Sequence, residues 1–180
     1  MSAASSPWVF AYGSLISRPG FAFAERRVAS VQGFRRRLDQ GSPDHRGTPE
    51  RLGRVATLVA APGAVCVGVV YRVADGEAAS VFAALDVREQ GGYDRLTLPA
   101  TLLDAPAGQV DAVTWVASPG NPYHLGAASL PAMAAQVLGA AGPSGRNADY
   151  VRSLDAALRA LGHPDPHVAA LAALLDERAR

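Results

Sequence analysis

The chain contains no lysine: every one of its 17 basic residues is arginine. A Schiff-base lysine and a Walker A phosphate loop are therefore both excluded. Its one cysteine, Cys66, cannot form an internal disulfide. That residue stands in Val65-Cys66-Val67-Gly68-Val69-Val70, where nothing nearby is built to lower a thiol pKa, and it reads as a small core residue. Net charge is only +1, so the chain as a whole has no polyanion-binding signature and nucleic acid is not an expected partner. No uninterrupted apolar run reaches the roughly 18 residues of a membrane span, so no membrane association is expected. Met1 to Pro7 lacks the basic start and apolar stretch of a secretory signal, and the expectation is a soluble cytoplasmic protein.

What is present is a globular composition. Apolar residues make up 49% of the 180 residues and charged ones 18%, enough for one domain over residues 1–180 with a sizeable core. The first two-thirds reads as strands. Trp8 to Ala11 is a short apolar strand running into a glycine turn, and Arg26 to Leu38 suits a long bent strand or two short ones. The Gly, Pro and Asp content of Gly41 to Pro49 marks a loop. Val55 to Ala60 and Val65 to Val73 flank Ala61-Pro62-Gly63-Ala64 and predict a hairpin. Arg95 to Leu103 and Val110 to Ala117 predict a second around Pro106-Ala107-Gly108. Between the hairpins, Asp75 is placed to cap a helix from Gly76 to Leu85. The last third is helical. Ser129 and Pro131 open a helix to about Ala141, Asn147 caps another that ends at Gly162, and Pro166 opens a third. Strands followed by helices, without regular alternation, give an α+β class with a small closed or strongly bent sheet.

Two stretches carry the chemistry. Tyr12-Gly13-Ser14-Leu15 follows the first strand in a turn that leaves backbone N–H groups free to face an anion or a developing oxyanion. Leu85 to Tyr93 ends an apolar stretch in Glu89 ahead of Gly91-Gly92, a way to hold one acid at the mouth of a pocket. From spacing alone, Glu89 equally reads as a solvated loop charge, and Asp86 with Arg88 as an ordinary helix end. Ser14 with His45 and an aspartate is a weaker nucleophile reading, because the G-x-S-x-G elbow is absent. His163 and His167 are four apart, but Pro164 and Pro166 break a shared helix face, which argues against a zinc site. Arg35-Arg36-Arg37 reads as a sheet edge or as partners for acids rather than a phosphate site. Asn147 and Tyr150 have sufficient structural roles, as a cap and a first-turn core residue.

At these residues the chain resembles the ChaC-type γ-glutamylcyclotransferases. The likeness runs from Trp8 to about Leu161. It rests on Val9 to Ile16, Gln40 to Pro49, Gly53 to Leu58, Leu85 to Tyr93, Asn121 to Gly126 and Gly142 to Tyr150, in order. The resemblance implies a small mixed β-barrel with C-terminal helices packed against it. It further implies that a γ-glutamyl amide, glutathione in the first instance, is attacked by its own α-amino group to give 5-oxoproline and a free amine. Glu89 would then take the proton from the α-ammonium, and the Tyr12, Gly13, Ser14 and Leu15 turn would hold the substrate carboxylate or the amide oxygen. Tyr93 and Tyr150 would orient the glutamyl end, with no metal or other cofactor. Departures stand at Ser17 and at Leu38-Asp39, where the family carries aromatics; both positions are expected to line the region that holds the departing Cys-Gly half. Another γ-glutamyl amide as substrate, or a non-catalytic module using the same anion nest, are the alternatives.

Overall fold

The computed structural model describes residues 7–104 and 106–179. The reading of the N-terminal Met1 to Ser6 therefore lies outside the described residues, as does Ala105 in the second expected turn.

Five strands close a barrel: β1 (Trp8–Ala11), β2 (Phe23–Ser42), β3 (Gly53–Val73), β4 (Tyr93–Leu102) and β5 (Gly108–Ala117), in the order β1-β3-β2-β4-β5. β5 returns beside β1 in parallel, with Trp8 opposite Ala112 and Val9 opposite Val113. The other pairings are antiparallel, so the barrel is mixed, as expected. β4 and β5 form the second expected hairpin.

The first expected hairpin is absent. β3 runs unbroken through Ala61 to Ala64, and both of its halves pair with β2. Gln32 faces Val65 and Phe34 faces Ala60, so Gly33 alone opposes four residues of β3. Gly33 and Gly63 take φ of +80° and +79°, a left-handed conformation that glycine adopts freely. The glycine-containing segment that reads as a turn is thus a bulge that bends a continuous ribbon. One half of this ribbon pairs with β1 and β4 in the barrel. The other, Phe34 to Ser42 with Gly53 to Ala60, meets the C-terminal helices.

Helix α1 (Ala78–Arg88) links β3 to β4. Asp75 does not cap it. Glu77 occupies the cap position without a side-chain hydrogen bond, Asp75 lies 3.6 Å from Arg72, and the helix runs past Leu85 to end with Glu89 at its C-cap. Helix α2 (Leu130–Gly139) starts as read, with the Ser129 hydroxyl accepting from Ala132 N–H at 3.4 Å. It stops short of Ala141, which belongs with Gly142 to a short strand, β6, paired with β7 (Gly145–Arg146).

Helix α3 (Asn147–Ala160) closes ahead of Gly162, whose φ is +77°. Asn147 is not its N-cap: Arg146 holds that position. The buried Asn147 amide instead accepts from Arg54 N–H at 2.7 Å and donates to the Arg54 carbonyl at 2.8 Å, pinning the helix start to β3. Helix α4 (Pro166–Arg178) is capped by Asp165, which accepts from the N–H groups of His167 and Val168. Leu158, Leu171, Leu175 and Met133 are fully buried among these helices. Among the described residues no helix is long and apolar enough to cross a membrane.

Two arginines of the run, Arg36 and Arg37, pair with acids. Arg37 lies 3.5 Å from Asp39, and Arg36 is only 3% exposed. Arg36 donates to the Tyr12 carbonyl at 2.6 Å, to the Val67 carbonyl, and to Asp165 at 2.8 Å. Arg36→Leu takes the ion pair from Asp165 and a donor from the Tyr12 and Val67 carbonyls, and is expected to lose about 3–5 kcal/mol. Urea denaturation measures this, and Asp165→Asn should lose less because its amide oxygen can still cap α4.

Candidate active site

A cavity of about 400 Å³ lies between the turn after β1, the end of α1 and the loop after β2. That is the size of a small-molecule site. Tyr12, Gly13, Ser14, Leu15, Glu89, Tyr93 and Tyr150 all line it, so the structure brings every expected site residue to one place.

The turn is a 3-10 turn over Ser14–Ile16, held by a bond from Ile16 N–H to the Gly13 carbonyl at 3.0 Å. Its leading N–H groups, on Ser14 and Leu15, have no acceptor within the turn itself. Gly13 is there for closeness: a Cβ on it would sit 3.3 Å from the Tyr150 hydroxyl.

Three tyrosines line this space, Tyr12 and Tyr150 buried and Tyr93 half-buried. Tyr12 donates to the Trp115 carbonyl at 2.5 Å. Tyr93 donates to the Ala56 carbonyl, and Tyr150 accepts from Ala56 N–H, both at 3.0 Å. One residue of β3, Ala56, therefore fixes two of the rings. Burial, reinforced by the nearby Glu89 carboxylate, holds the pKa of Tyr12 and Tyr93 well above the usual phenol value. Burial pushes Tyr150 up to about 12. All three stay protonated at neutral pH, and the Tyr150 proton is left to donate because the oxygen accepts from Ala56.

Glu89 stands at the C-terminal end of α1 with its side chain 18% exposed. Burial pushes its pKa up; Arg88 and His45 pull it back down, and Asp44 pushes it up again. Arg88 lies 3.5 Å away and also donates to the Ser14 hydroxyl at 2.8 Å, joining the acid to the turn. The helix itself is fixed by Asp86, which accepts from the Trp115 indole at 2.9 Å and from Arg95 at 3.1 Å. Beyond Glu89 the chain is held by a buried amide pair. Gln40 donates to the Gly91 carbonyl and to Asn121, and Asn121 donates back, each at 3.0 Å. Asn121 packs so closely under Gly92 that a Cβ there would meet its side-chain oxygen at 2.5 Å.

Two expectations are corrected. His45 contacts the Ser144 hydroxyl at 3.1 Å, not Ser14, whose hydroxyl is taken by Arg88. The residues at the family departures do not line the cavity. Leu38 is fully buried beneath the helices, Asp39 is 5% exposed with its carbonyl accepting from Leu125 and Gly126, and Ser17 lies at a separate surface groove.

The ChaC-like protein family model matches residues 7–178. The chain belongs to the ChaC-like family. It is 42% identical over 172 residues to γ-glutamylcyclotransferase 2-3 of Arabidopsis thaliana, covering 92% of this chain and 86% of the relative. It is 39% identical over 168 residues to glutathione-specific γ-glutamylcyclotransferase 1 of Homo sapiens, covering 91% and 76%. The crystal structure of the yeast γ-glutamyl cyclotransferase specific to glutathione superposes with a TM-score of 0.89 at 27% identity, over 97% of each chain.

Sequence reasoning missed the arginines of the cavity, Arg18, Arg46 and Arg88, and the roles of Gln40 and Asn121. Arg88 adjoins Glu89 and could have been read from the helix end. The amide pair could not: its members lie 81 residues apart.

Because burial raises the Glu89 pKa, the folded chain holds this proton more tightly than the unfolded one. Stability therefore falls as pH climbs from the ordinary glutamate range through the raised value, and the loss is complete above it. Glu89→Gln removes that loss. Thermal melts should place the variant above the parent at neutral pH, with the gap closing below about pH 4.

Proposed function

We propose that this protein is a γ-glutamylcyclotransferase that splits glutathione into 5-oxoproline and cysteinylglycine, with Glu89 as its general base and then acid. In this reading residues 1–180 form one catalytic domain that works in the cytoplasm without a bound cofactor. The observation that carries the catalytic assignment is a half-buried carboxylate of raised pKa sharing a cavity with a turn of unengaged N–H groups.

The substrate's α-amino group has a pKa near about 7.7–8.0 and is largely an ammonium at neutral pH. Glu89 takes one of its protons, and the freed nitrogen attacks the γ-amide carbonyl within the same molecule. The carbonyl oxygen gains charge as a tetrahedral carbon forms, facing the Tyr12 to Leu15 turn and the Tyr150 hydroxyl. The carbon–nitrogen bond to cysteine then breaks as Glu89 returns that proton to the departing nitrogen, and the second proton shed by the ring nitrogen passes through Glu89 to the same amine, leaving a neutral lactam and an ammonium. No water is consumed, so substrate and products balance atom for atom.

A raised pKa suits both tasks, since an acid nearer the working pH can accept and return a proton. The nucleophile is already tethered, which leaves the site mainly to fold the glutamyl chain into its cyclic pose. Tyr12, Tyr93 and Tyr150, locked by backbone partners, give that pose a rigid wall.

Incubation of the purified protein with glutathione should release 5-oxoproline and cysteinylglycine in equal amounts. Release of neither, from glutathione or from other γ-glutamyl amides, would discard the enzyme reading. Glu89→Gln should lower kcat by about 10²–10⁴-fold with little change in substrate binding. In the parent enzyme, the acid limb of kcat/KM should fall above the usual glutamate range. A limb near pH 4 would contradict the desolvated base.

A further inference from the structure

We infer that Arg18 and Arg46 form a subsite for the carboxylate at the far end of the departing half, so that the site selects γ-glutamyl peptides ending in a free carboxylate over γ-glutamylamines. The inference rests on the cyclotransferase reading and adds to it the chemical class of the leaving group.

The cavity is lined by three arginines, and they are not equivalent. Arg88 is shared between Glu89 and Ser14. Among the described residues, Arg18 and Arg46 have no carboxylate within ion-pair range. The Arg46 guanidinium lies 5.5 Å from the centroid of the Tyr150 ring and makes a single hydrogen bond, to the Arg146 carbonyl at 3.3 Å. Most of its donors are unused. The Arg18 side chain donates to nothing among the described residues and stands exposed at the rim.

Burial and the neighbouring Arg18 charge press on Arg46, with Tyr150 and Asp149 offsetting part of this, so two cations meet at this end with no ion-paired carboxylate among the described residues. Such a pair is relieved by an anion, and a guanidinium held against a ring is already oriented for one.

Charge order decides which anion. The α-ammonium must reach Glu89, and the α-carboxylate is attached to the same carbon. The cation beside Glu89 is Arg88, so the α-carboxylate belongs with Arg88. The charges that act on Glu89 are those of Arg88, His45 and Asp44, whereas Arg46 answers to Tyr150, Arg18 and Asp149. Arg18 and Arg46 are therefore left for the second carboxylate, at the other end of the substrate. A γ-glutamylamine has no such group.

The experiment compares kcat/KM for glutathione, its glycine monoethyl ester and γ-glutamylethylamide, in the parent and in Arg18→Gln and Arg46→Gln. The parent should prefer glutathione to the ester by about 10- to 100-fold, mostly through KM. Each variant should lose most of that preference by lowering glutathione turnover far more than ester turnover. Arg18 is exposed, so its variant keeps the test clear of misfolding, and Arg18→Lys should restore part of the preference. Equal losses on glutathione and ester, or a parent that does not discriminate, would overturn the subsite while leaving the cyclotransferase reading intact. No turnover of any of the three compounds by the parent would remove both.

Discussion

The Arg36 guanidinium is the tie on which the site depends. It reaches from the middle of β2 to the carbonyls of Tyr12 and Val67 and to the carboxylate that caps α4. The Tyr12 carbonyl would otherwise be a bare acceptor where the chain leaves the sheet and begins the turn. A buried cation of this kind is tolerable only when every side of it is engaged. Here the partners come from the barrel, the turn and the helical layer at once. The position of the Tyr12 to Leu15 turn is thereby tied to α4, a helix that does not line the cavity.

Glu89 is placed by a different and more local logic. It occupies the last turn of α1, a helix with no side-chain cap at its start and with Asp86 tied to Trp115 near its end. The chain beyond is arrested by Gln40 and Asn121, amides that satisfy one another and the Gly91 carbonyl inside the protein. An acid kept mostly from water disfavours its own ionised form, which costs the fold stability and raises its pKa. Arg88 limits that effect without cancelling it, since the same guanidinium is divided with Ser14. The destabilisation and the chemistry are one property of the site.

How far the sequence could be read follows from the range of each interaction. Strand β1, the β4–β5 hairpin, the Ser129 cap and the helix stop at Gly162 were legible, because each is written in adjacent residues. The β3 bend was misread because Ala61 to Ala64 has the composition of a turn, and only its partner, with Gly33 facing it, makes it a bulge. Asn147 was misread for a related reason: an asparagine before a helix suits a cap, and its actual partner, Arg54, is 93 residues away. The seven expected site residues share one cavity, and what pointed to them beyond spacing was resemblance, since a glutamate before two glycines has no single meaning by itself. The cations opposite them stayed invisible. In a chain whose every basic residue is arginine, nothing local separates Arg46, which has no ion-paired carboxylate among the described residues, from Arg36, which is fully engaged.

That contrast bears on how products leave. In the amide, the departing half carries a carboxylate and no amine charge, which suits Arg18 and Arg46. When the carbon–nitrogen bond breaks, the new amine takes up a proton, so this half becomes a zwitterion held less strongly by two cations. The glutamyl half changes in the opposite sense. Its ammonium becomes a neutral lactam nitrogen, and in the proposed mechanism Glu89, its proton returned, is again a carboxylate near the product's own. The attraction that brought each end of the substrate in is thus reduced by the bond rearrangement itself. On the proposed reading, a site whose Arg18 and Arg46 have no ion-paired carboxylate among the described residues binds the reactant charge pattern and disfavours that of the products, with no moving part required.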